Sequence, residues 1–235
     1  MAEERKTIYL CLAHMSEEGF EQKYVKEAFD TNWVVPMGPN VNAFEDELGK
    51  FVNNHVSGGK LDRKVVCLSA GTAAVHLALL ACGVGQGDEV IVQSFTFCAS
   101  SHPITYLGAT PIFVDSESET WNMDPELLEK AIIDRKEKTG KYPKAIIPVA
   151  LYGMPYQIDK IMAIADKYGI PVIEDAAEGM GSRYNGQVLG TFGKYGVLSF
   201  NGNKMITTSG GGALICHNAE DANTIMWYAT QARDA

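Results

Sequence analysis

Basic residues are few in this sequence: 20 Lys and Arg stand against 29 Asp and Glu, for a formal net charge of −9. Nucleic-acid-binding proteins neutralise phosphates with clustered Lys and Arg, so this balance argues against nucleic acid as a partner. The sequence also lacks a long hydrophobic run, because the longest, around residues 75–84, is interrupted by His76 and is too short to span a bilayer. Residues 1–6 are polar and acidic, unlike a signal peptide. We therefore expect a cytoplasmic protein that binds no membrane and no nucleic acid.

Paired cysteines are also missing. The sequence has 5 cysteines without a CxxC pair, and most of them lie within apolar runs. This distribution predicts buried thiols in a reducing compartment, not disulfides or zinc ligands. The 5 histidines lack the spacing of metal ligands as well, so we expect no metal site. The cysteines are Cys11, Cys67, Cys82, Cys98 and Cys216.

The chain does contain enough apolar sequence for a core. Of its 235 residues 46% are hydrophobic, which predicts one large α/β domain. Apolar runs alternate with helical patterns, as in a mostly parallel sheet with crossover helices. We predict strands at residues 65–68, 89–93, 110–114, 145–149, 171–174, 196–200 and 212–216. Helices are predicted at residues 16–29, 41–52, 72–82, 125–139, 157–168 and 220–231, with Asp124 capping the fourth.

The most informative residue is Lys204. It lies within residues 199–212, SFNGNKMITTSGGG, among small, hydroxyl-bearing and flexible residues between two strand-like runs. An amine held on such a tight connection can form a Schiff base with an aldehyde cofactor, and nearby hydroxyls can bind that cofactor's phosphate. Most lysines, however, are solvated surface charges, and Lys204 alone would be interpreted that way.

A second motif, residues 172–178 (VIEDAAE), changes that interpretation. Asp175 ends an apolar run typical of an interior parallel strand, which places its carboxylate at the edge where open α/β sheets bind ligands. Pyridoxal phosphate needs such a carboxylate beside its ring nitrogen to keep that nitrogen protonated. Asp175 could instead cap the following turn through a backbone N–H group. With Lys204 downstream, the cofactor role is favoured.

A third motif is a strand-to-helix turn at residues 69–74, SAGTAA. Gly71 and Thr72 there present backbone N–H groups and a hydroxyl, which suit a phosphate. On the local sequence alone, Thr72 is better interpreted as a plain helix N-cap. Ser199 has the same ambiguity, since it could be an ordinary strand serine.

Together these motifs resemble the pyridoxal-phosphate-dependent sugar aminotransferases of the DegT/DnrJ/EryC1/StrS family, in the aspartate aminotransferase superfamily (fold type I). The resemblance extends through residues 16–51, 69–80, 93–97, 108–111 and 148–153. It implies a three-layer α-β-α fold around a mostly parallel mixed sheet. Residues 1–235 would form an N-terminal arm and the cofactor-binding large domain. Relatives continue beyond Ala235 into a smaller C-terminal domain, so we expect that domain to be absent and the large domain to be truncated.

The resemblance also implies roles for individual residues. Lys204 would form a covalent aldimine with pyridoxal 5′-phosphate and move protons, and Asp175 would pair with the ring nitrogen. Gly71, Thr72 and Ser199 would hold the phosphate.

Two further positions match the family pattern. Phe97 matches the aromatic position that stacks on the cofactor, although its apolar neighbours alone would make it a core residue. Glu178 matches the position near the phenolic oxygen, where glutamine or histidine is commoner. Without the family pattern, Glu178 would be a first-turn helix glutamate favoured by the helix dipole.

Glu178, together with the Asn-Gly-Asn sequence at residues 201–203, resembles the branch that acts on 4-keto-6-deoxy sugar nucleotides. A dehydratase branch has histidine in place of Lys204, so the resemblance implies transamination. The expected substrates are glutamate and a nucleotide-linked keto sugar, for cell-surface polysaccharide or glycan biosynthesis, and the expected assembly is a homodimer. Two alternatives stay open: another fold type I enzyme, such as a lyase or amino-acid aminotransferase, and a truncated, non-catalytic cofactor-binding or regulatory remnant.

Overall fold

A computed structural model describes residue 7, residues 14–54 and residues 61–233. The expectations for residues 1–6, Cys11 and Ala235 concern residues outside that part of the chain. Across the described residues, no helix is long and apolar enough to cross a membrane.

Helices and strands alternate along the chain. The helices are α1 (Phe20–Asp30), α2 (Pro39–Val52), α3 (Gly71–Ala81), α4 (His102–Tyr106), α5 (Pro125–Thr139), α6 (Ile158–Tyr168) and α7 (Ala219–Ala229). Short 3-10 turns lie at Cys98–Ser100 and Leu151–Gly153. The strands are β1 (Lys64–Leu68), β2 (Glu89–Gln93), β3 (Thr110–Val114), β4 (Ala145–Ile147), β5 (Ile173–Asp175), β6 (Arg183–Tyr184), β7 (Gln187–Val188), β8 (Tyr195–Ser199) and β9 (Gly212–Cys216).

One central sheet organises these elements. Strands β1, β9, β8 and β5 pair in that order, as do β3, β2 and β4. Parallel bridges from Ile146 to Val172 and from Val149 to Asp175 join β4 to β5. The sheet order is therefore β3-β2-β4-β5-β8-β9-β1. Strand β9 is antiparallel to both of its neighbours and the other pairings are parallel, which confirms the predicted mostly parallel mixed sheet.

Helices cover both faces of this sheet. Successive residues of a strand point to opposite faces, so the apolar side chains on each face pack against their own layer of helices. Ile91 and Ile146 belong to a core that includes residues of α2, α5 and α6. Val92 and Ile147 belong to a second core that includes residues of α3, α4 and α7. Strands buried on both faces explain the continuous apolar runs of the sequence. The three-layer α-β-α architecture is confirmed.

Several boundaries differ from prediction. Helix α1 begins at Phe20, not at residue 16, because Gly19 has a left-handed backbone and the Ser16 hydroxyl accepts the Phe20 N–H. Helix α4 and the β6–β7 hairpin were not predicted; the hairpin turns at Asn185 and Gly186, both with positive φ, as that residue pair favours. The predicted Asp124 cap of α5 is confirmed by two backbone N–H groups that donate to its carboxylate.

Candidate active site

A cavity of about 650 Å³ opens at the edge of the sheet where β5 and β8 end. All the site residues predicted from the sequence line it, although they come from well-separated parts of the chain. They are Gly71, Thr72, Phe97, Asp175, Glu178, Ser199 and Lys204.

Lys204 points into this cavity. Its side chain is only 13% exposed, and its Nζ lies 3.3 Å from Glu178 Oε1, so the interpretation as a solvated surface lysine is wrong. The other Glu178 oxygen accepts the backbone N–H of Tyr152 at 2.7 Å. Glu178 lies in a turn, and the alternative that placed it in a helix's first turn is therefore wrong. Its carboxylate ties the turn at Tyr152, whose φ is 54°, to the lysine.

Asp175 is the buried carboxylate of the cavity, with 6% of its surface exposed. Its Oδ2 accepts the Ser100 hydroxyl at 2.6 Å, and its Oδ1 accepts the backbone N–H of Ala177 at 3.1 Å. The bond from Ala177 is the turn cap considered from the sequence, and it involves only Oδ1 of Asp175. Burial raises the pKa of Asp175, while the Ser100 bond, the Ala177 bond and the charge of Lys204 oppose that shift.

The N-terminus of α3 forms another wall. Ala70 is the N-cap residue, so Thr72 is the second residue of the helix and the N-cap interpretation of Thr72 is wrong. The first N–H groups of a helix have no acceptor within the helix and can bind an anion. A Cβ at Gly71 would lie 3.0 Å from Ser199 Cβ, and one at Gly212 would lie 2.5 Å from backbone atoms at the start of α3. The glycines therefore allow β8 and β9 to approach this helix end closely.

Phe97 lies at the mouth of the cavity, just before the 3-10 turn at Cys98–Ser100. Phe97 is 71% exposed. The alternative that made it a core aromatic is therefore wrong. An exposed aromatic beside a cavity is available to pack on a ligand ring.

The cysteines differ in environment. Cys216 is buried and Cys67 and Cys82 are partly buried, and burial raises their pKa values to about 12, 12 and 11 respectively. Cys98 is exposed, so the prediction of a buried thiol is wrong there. Within the described residues, no group of His, Cys, Asp and Glu side chains could hold a metal ion.

Three contacts of the site were not found from the sequence. Ser100 bonds to Asp175, Thr96 bonds to Ser100, and Tyr152 bonds to Glu178 through its backbone. Thr96 and Ser100 flank Phe97 in a segment that the family resemblance includes only in part, and no spacing rule links them to Asp175. The positive φ of Tyr152 has no sequence signal either, because an aromatic residue rarely adopts it.

Comparisons with known proteins give the family and the relatives that this chain resembles. The sequence pattern of the DegT/DnrJ/EryC1/StrS aminotransferase family matches residues 15–235. The chain is 48% identical over 229 residues to a Bacillus subtilis (strain 168) protein named "Putative pyridoxal phosphate-dependent aminotransferase EpsN", covering 97% of this chain and 56% of that protein. It is 41% identical over 210 residues to the GDP-perosamine synthase of Escherichia coli O157:H7, covering 89% and 54%.

Solved structures of aminotransferases also resemble this chain. The aminotransferase from Psychrobacter cryohalolentis matches with a TM-score of 0.79 and 30% identity, over 94% of this chain and 54% of that one. The chain spans about half the length of the curated relatives it matches.

Proposed function

This chain belongs to the DegT/DnrJ/EryC1/StrS aminotransferase family, and we propose that it forms the N-terminal arm and large domain of a pyridoxal-phosphate-dependent sugar-nucleotide aminotransferase. The observation that carries the proposal is one cavity lined by both a shielded lysine amine and a buried carboxylate, Lys204 and Asp175. Relatives whose names state this cofactor or this class of product support it.

The functional groups around the cavity suit pyridoxal phosphate. The group carries an aldehyde, a ring nitrogen and a phosphate, and these need an amine, a carboxylate and an anion site. Lys204 and Asp175 supply the first two, and the N-terminus of α3 supplies the third. Thr72, in the first turn of α3, and Ser199, whose Cβ would lie 3.0 Å from a Cβ at Gly71, also line the cavity. Its volume of about 650 Å³ falls within the range of small-molecule sites.

Each residue has a distinct task in this proposal. When bound, pyridoxal phosphate supplies an electron sink at the carbon that loses or gains an amino group. Lys204 Nζ would hold the cofactor covalently and, once an amino donor has displaced it, the freed amine would move the proton at the reacting carbon. Asp175 holds a proton on the ring nitrogen, and Gly71, Thr72 and Ser199 bind the phosphate.

The remaining two assigned residues orient the others. Phe97 packs on the cofactor ring and excludes water from that face. Glu178, 3.3 Å from the lysine amine, keeps the ammonium of Lys204 inside the cavity before the cofactor binds. After binding, a carboxylate beside the cofactor's phenolic oxygen is stable only if one of the two is protonated or a cation lies between them.

We assign the substrates as glutamate and a 4-keto-6-deoxy sugar nucleotide, for glycan biosynthesis in the cytoplasm. The support is Glu178 with the Asn-Gly-Asn sequence at residues 201–203, together with the E. coli relative named GDP-perosamine synthase. The comparisons give the coarser class, sugar aminotransfer, and the choice of sugar and donor is the finer proposal.

We also assign the assembly as a homodimer. The structure describes every residue of α1, and none of them is buried. The helix nevertheless carries four large apolar side chains that are 49–69% exposed, Phe20, Tyr24, Val25 and Phe29. Trp33 extends this apolar surface beyond the helix. An exposed patch of this kind commonly marks a protein interface. Light scattering at several concentrations tests the assignment, and a mass that stays monomeric would contradict it.

The cofactor role is tested by loading the protein with pyridoxal phosphate, reducing it with borohydride and locating the adduct by peptide mass spectrometry. We expect the adduct on the Lys204 peptide, and none in Lys204→Ala or Lys204→Arg. Lys204→Arg keeps a cation beside Glu178 but cannot be deprotonated. Lys141→Ala, in an exposed turn, is the matched control and should load like wild type. An adduct on another lysine, with Lys204 unmodified, would overturn the assignment.

The reaction is tested separately, with glutamate and a panel of 4-keto sugar nucleotides. We expect amine transfer by the wild type, lost by a factor on the order of 10²–10⁴ or more in Lys204→Ala. Loading without transfer to any sugar nucleotide would support the cofactor site and contradict the substrate proposal.

A further inference from the structure

Behind Asp175 lies a pair of hydroxyl groups. The Ser100 hydroxyl, on a residue that is 1% exposed, donates to Asp175 Oδ2 at 2.6 Å. The Thr96 hydroxyl lies 2.8 Å from the Ser100 hydroxyl. Thr96 itself lines the cavity, whereas Ser100 does not. The three side chains therefore form a chain of hydrogen bonds that runs from the cavity wall to the buried carboxylate.

The hydrogen atoms in this chain have one direction when Asp175 is ionised. A carboxylate only accepts, so Ser100 must donate its single hydroxyl hydrogen to Oδ2. Ser100 then has no hydrogen left for Thr96, so Thr96 must donate to Ser100. If Asp175 were protonated, its own O–H could donate and the chain could reverse. The short contact at 2.6 Å is typical of an O–H donor to a charged oxygen.

We propose that Thr96 and Ser100 act together as positioning residues that orient Asp175 and keep it ionised for the ring nitrogen of the cofactor. This inference rests on the proposed role of Asp175. The aspartate and the nitrogen compete for one proton. The Ser100 bond stabilises the carboxylate, so it favours the proton on nitrogen, and the Thr96 bond strengthens Ser100 as a donor.

The other groups around Asp175 act on its charged form in both directions. Burial is the largest influence and raises the pKa of Asp175, and the charge of Glu178 acts in the same direction. The Ser100 hydrogen bond is the largest influence that lowers it, ahead of the Ala177 N–H and the charge of Lys204. Lys204 is also the residue assigned to bind the cofactor, so its charge changes during function while the Ser100 bond does not.

The first test uses the cofactor-free protein. We would follow the carboxyl carbon of Asp175 by ¹³C NMR across pH, with the signal assigned by its loss in Asp175→Asn. Ser100→Ala removes one charge-assisted hydrogen bond and should raise the midpoint by about one pH unit. Ser101→Ala, at the next residue, whose hydroxyl bonds only weakly to Cys98 O at 3.2 Å, should match wild type. A Ser100→Ala midpoint equal to that of Ser101→Ala would overturn the proposal.

Thr96 provides a second test, which also stands if Ser100→Ala fails to fold. Thr96→Val keeps the size of the side chain and removes its hydroxyl, so the Asp175 midpoint should rise, by less than in Ser100→Ala. Thr96→Ser keeps the hydroxyl and should restore the wild-type midpoint. Equal midpoints in Thr96→Val and Thr96→Ser would show that Thr96 takes no part and would overturn the paired arrangement.

A third measurement separates this inference from the proposed function. Titration with pyridoxal phosphate should give about tenfold weaker binding in Ser100→Ala, which corresponds to one pH unit, and wild-type binding in Ser101→Ala. If wild type binds no cofactor, the proposed function fails, and the NMR midpoints still decide whether the pair sets the state of Asp175. If wild type binds and Ser100→Ala binds equally well, the inference fails alone.

Discussion

Glu174, the neighbour of Asp175 on β5, provides the sharpest test of how this fold supports the site. Its side chain points to the opposite face of the sheet and is 1% exposed. Oε1 accepts the backbone N–H groups of Phe192 and Gly193, each at 2.6 Å, and Oε2 accepts that of Gly190 at 3.1 Å. One buried carboxylate thus fastens the loop that precedes β8 to strand β5. The replacement Glu174→Gln changes this clamp with almost no change in volume.

The expected magnitude follows from the hydrogen bonds. The amide oxygen of Gln can still accept from Phe192 and Gly193, but its NH₂ group then faces the N–H of Gly190. One buried donor loses its acceptor, which costs about 1–3 kcal/mol. We therefore expect the free energy of unfolding to fall by about 2 kcal/mol. Glu174→Ala leaves all three donors unmet and opens a cavity, so its loss should be larger, roughly 3–5 kcal/mol.

The effect also has a definite pH dependence. Burial raises the pKa of Glu174 above its ordinary value of 4.5, against the opposing effect of the three N–H groups and of the Tyr156 hydroxyl. A carboxyl group with a raised folded-state pKa contributes stability while protonated, and that contribution is lost as the pH rises from the unfolded value through the folded one. Gln does not titrate. The difference in unfolding free energy between wild type and Glu174→Gln should therefore be widest at and below pH 4.5 and narrower at neutral pH.

Urea unfolding followed by tryptophan fluorescence measures these differences. Glu137→Gln, at an exposed position of α5, is the matched control and should stay within about 0.5 kcal/mol of wild type. Two results would refute the reasoning. One is a loss in Glu174→Gln no larger than the loss in Glu137→Gln, and the other is a difference from wild type that widens as the pH rises.

Three further predictions follow from other contacts. Gly212→Ala should lower cofactor affinity in a titration and destabilise the fold by about 1–3 kcal/mol, because the new Cβ would lie 2.5 Å from backbone atoms at the start of α3. Gly85→Ala is the control: its Cβ would meet no described atom within 4 Å, so neither quantity should change. Asp124→Ala removes the acceptor of two N–H groups of α5 and should cost about 1 kcal/mol in thermal unfolding, and an unchanged transition would contradict the cap. The exposed Cys98 should react with iodoacetamide faster than Cys216, whose pKa is raised to about 12, and equal labelling of the two peptides would argue against the burial of Cys216.

Elements with a strong local signal were predicted well. The runs at residues 89–93, 110–114 and 212–216 match β2, β3 and β9, and α5 begins and ends as predicted. In β2 and β9, burial on both faces requires a continuous apolar run, which is visible in the sequence. Strand β3 lies at the edge of the sheet and is partly exposed, and its run of β-branched and aromatic residues marks it instead. The family itself was recognised from the order of several motifs, and that recognition is confirmed. Helix boundaries were predicted less accurately where a side chain bonds to the backbone, as the Ser16 hydroxyl does before the start of α1.

The sequence by itself determined the chemistry available to this protein: a lysine on a glycine-rich connection, an aspartate at the end of a buried strand, and a Gly-Thr turn before a helix. Those features are local, because residue type and near neighbours produce them. Only the tertiary structure decided which groups act on one another. Ser100 meets Asp175 across 75 positions of the chain, and Lys204 meets Glu178 across 26. Contacts between distant segments depend on how strands and turns pack, and packing leaves no spacing pattern that a single sequence displays.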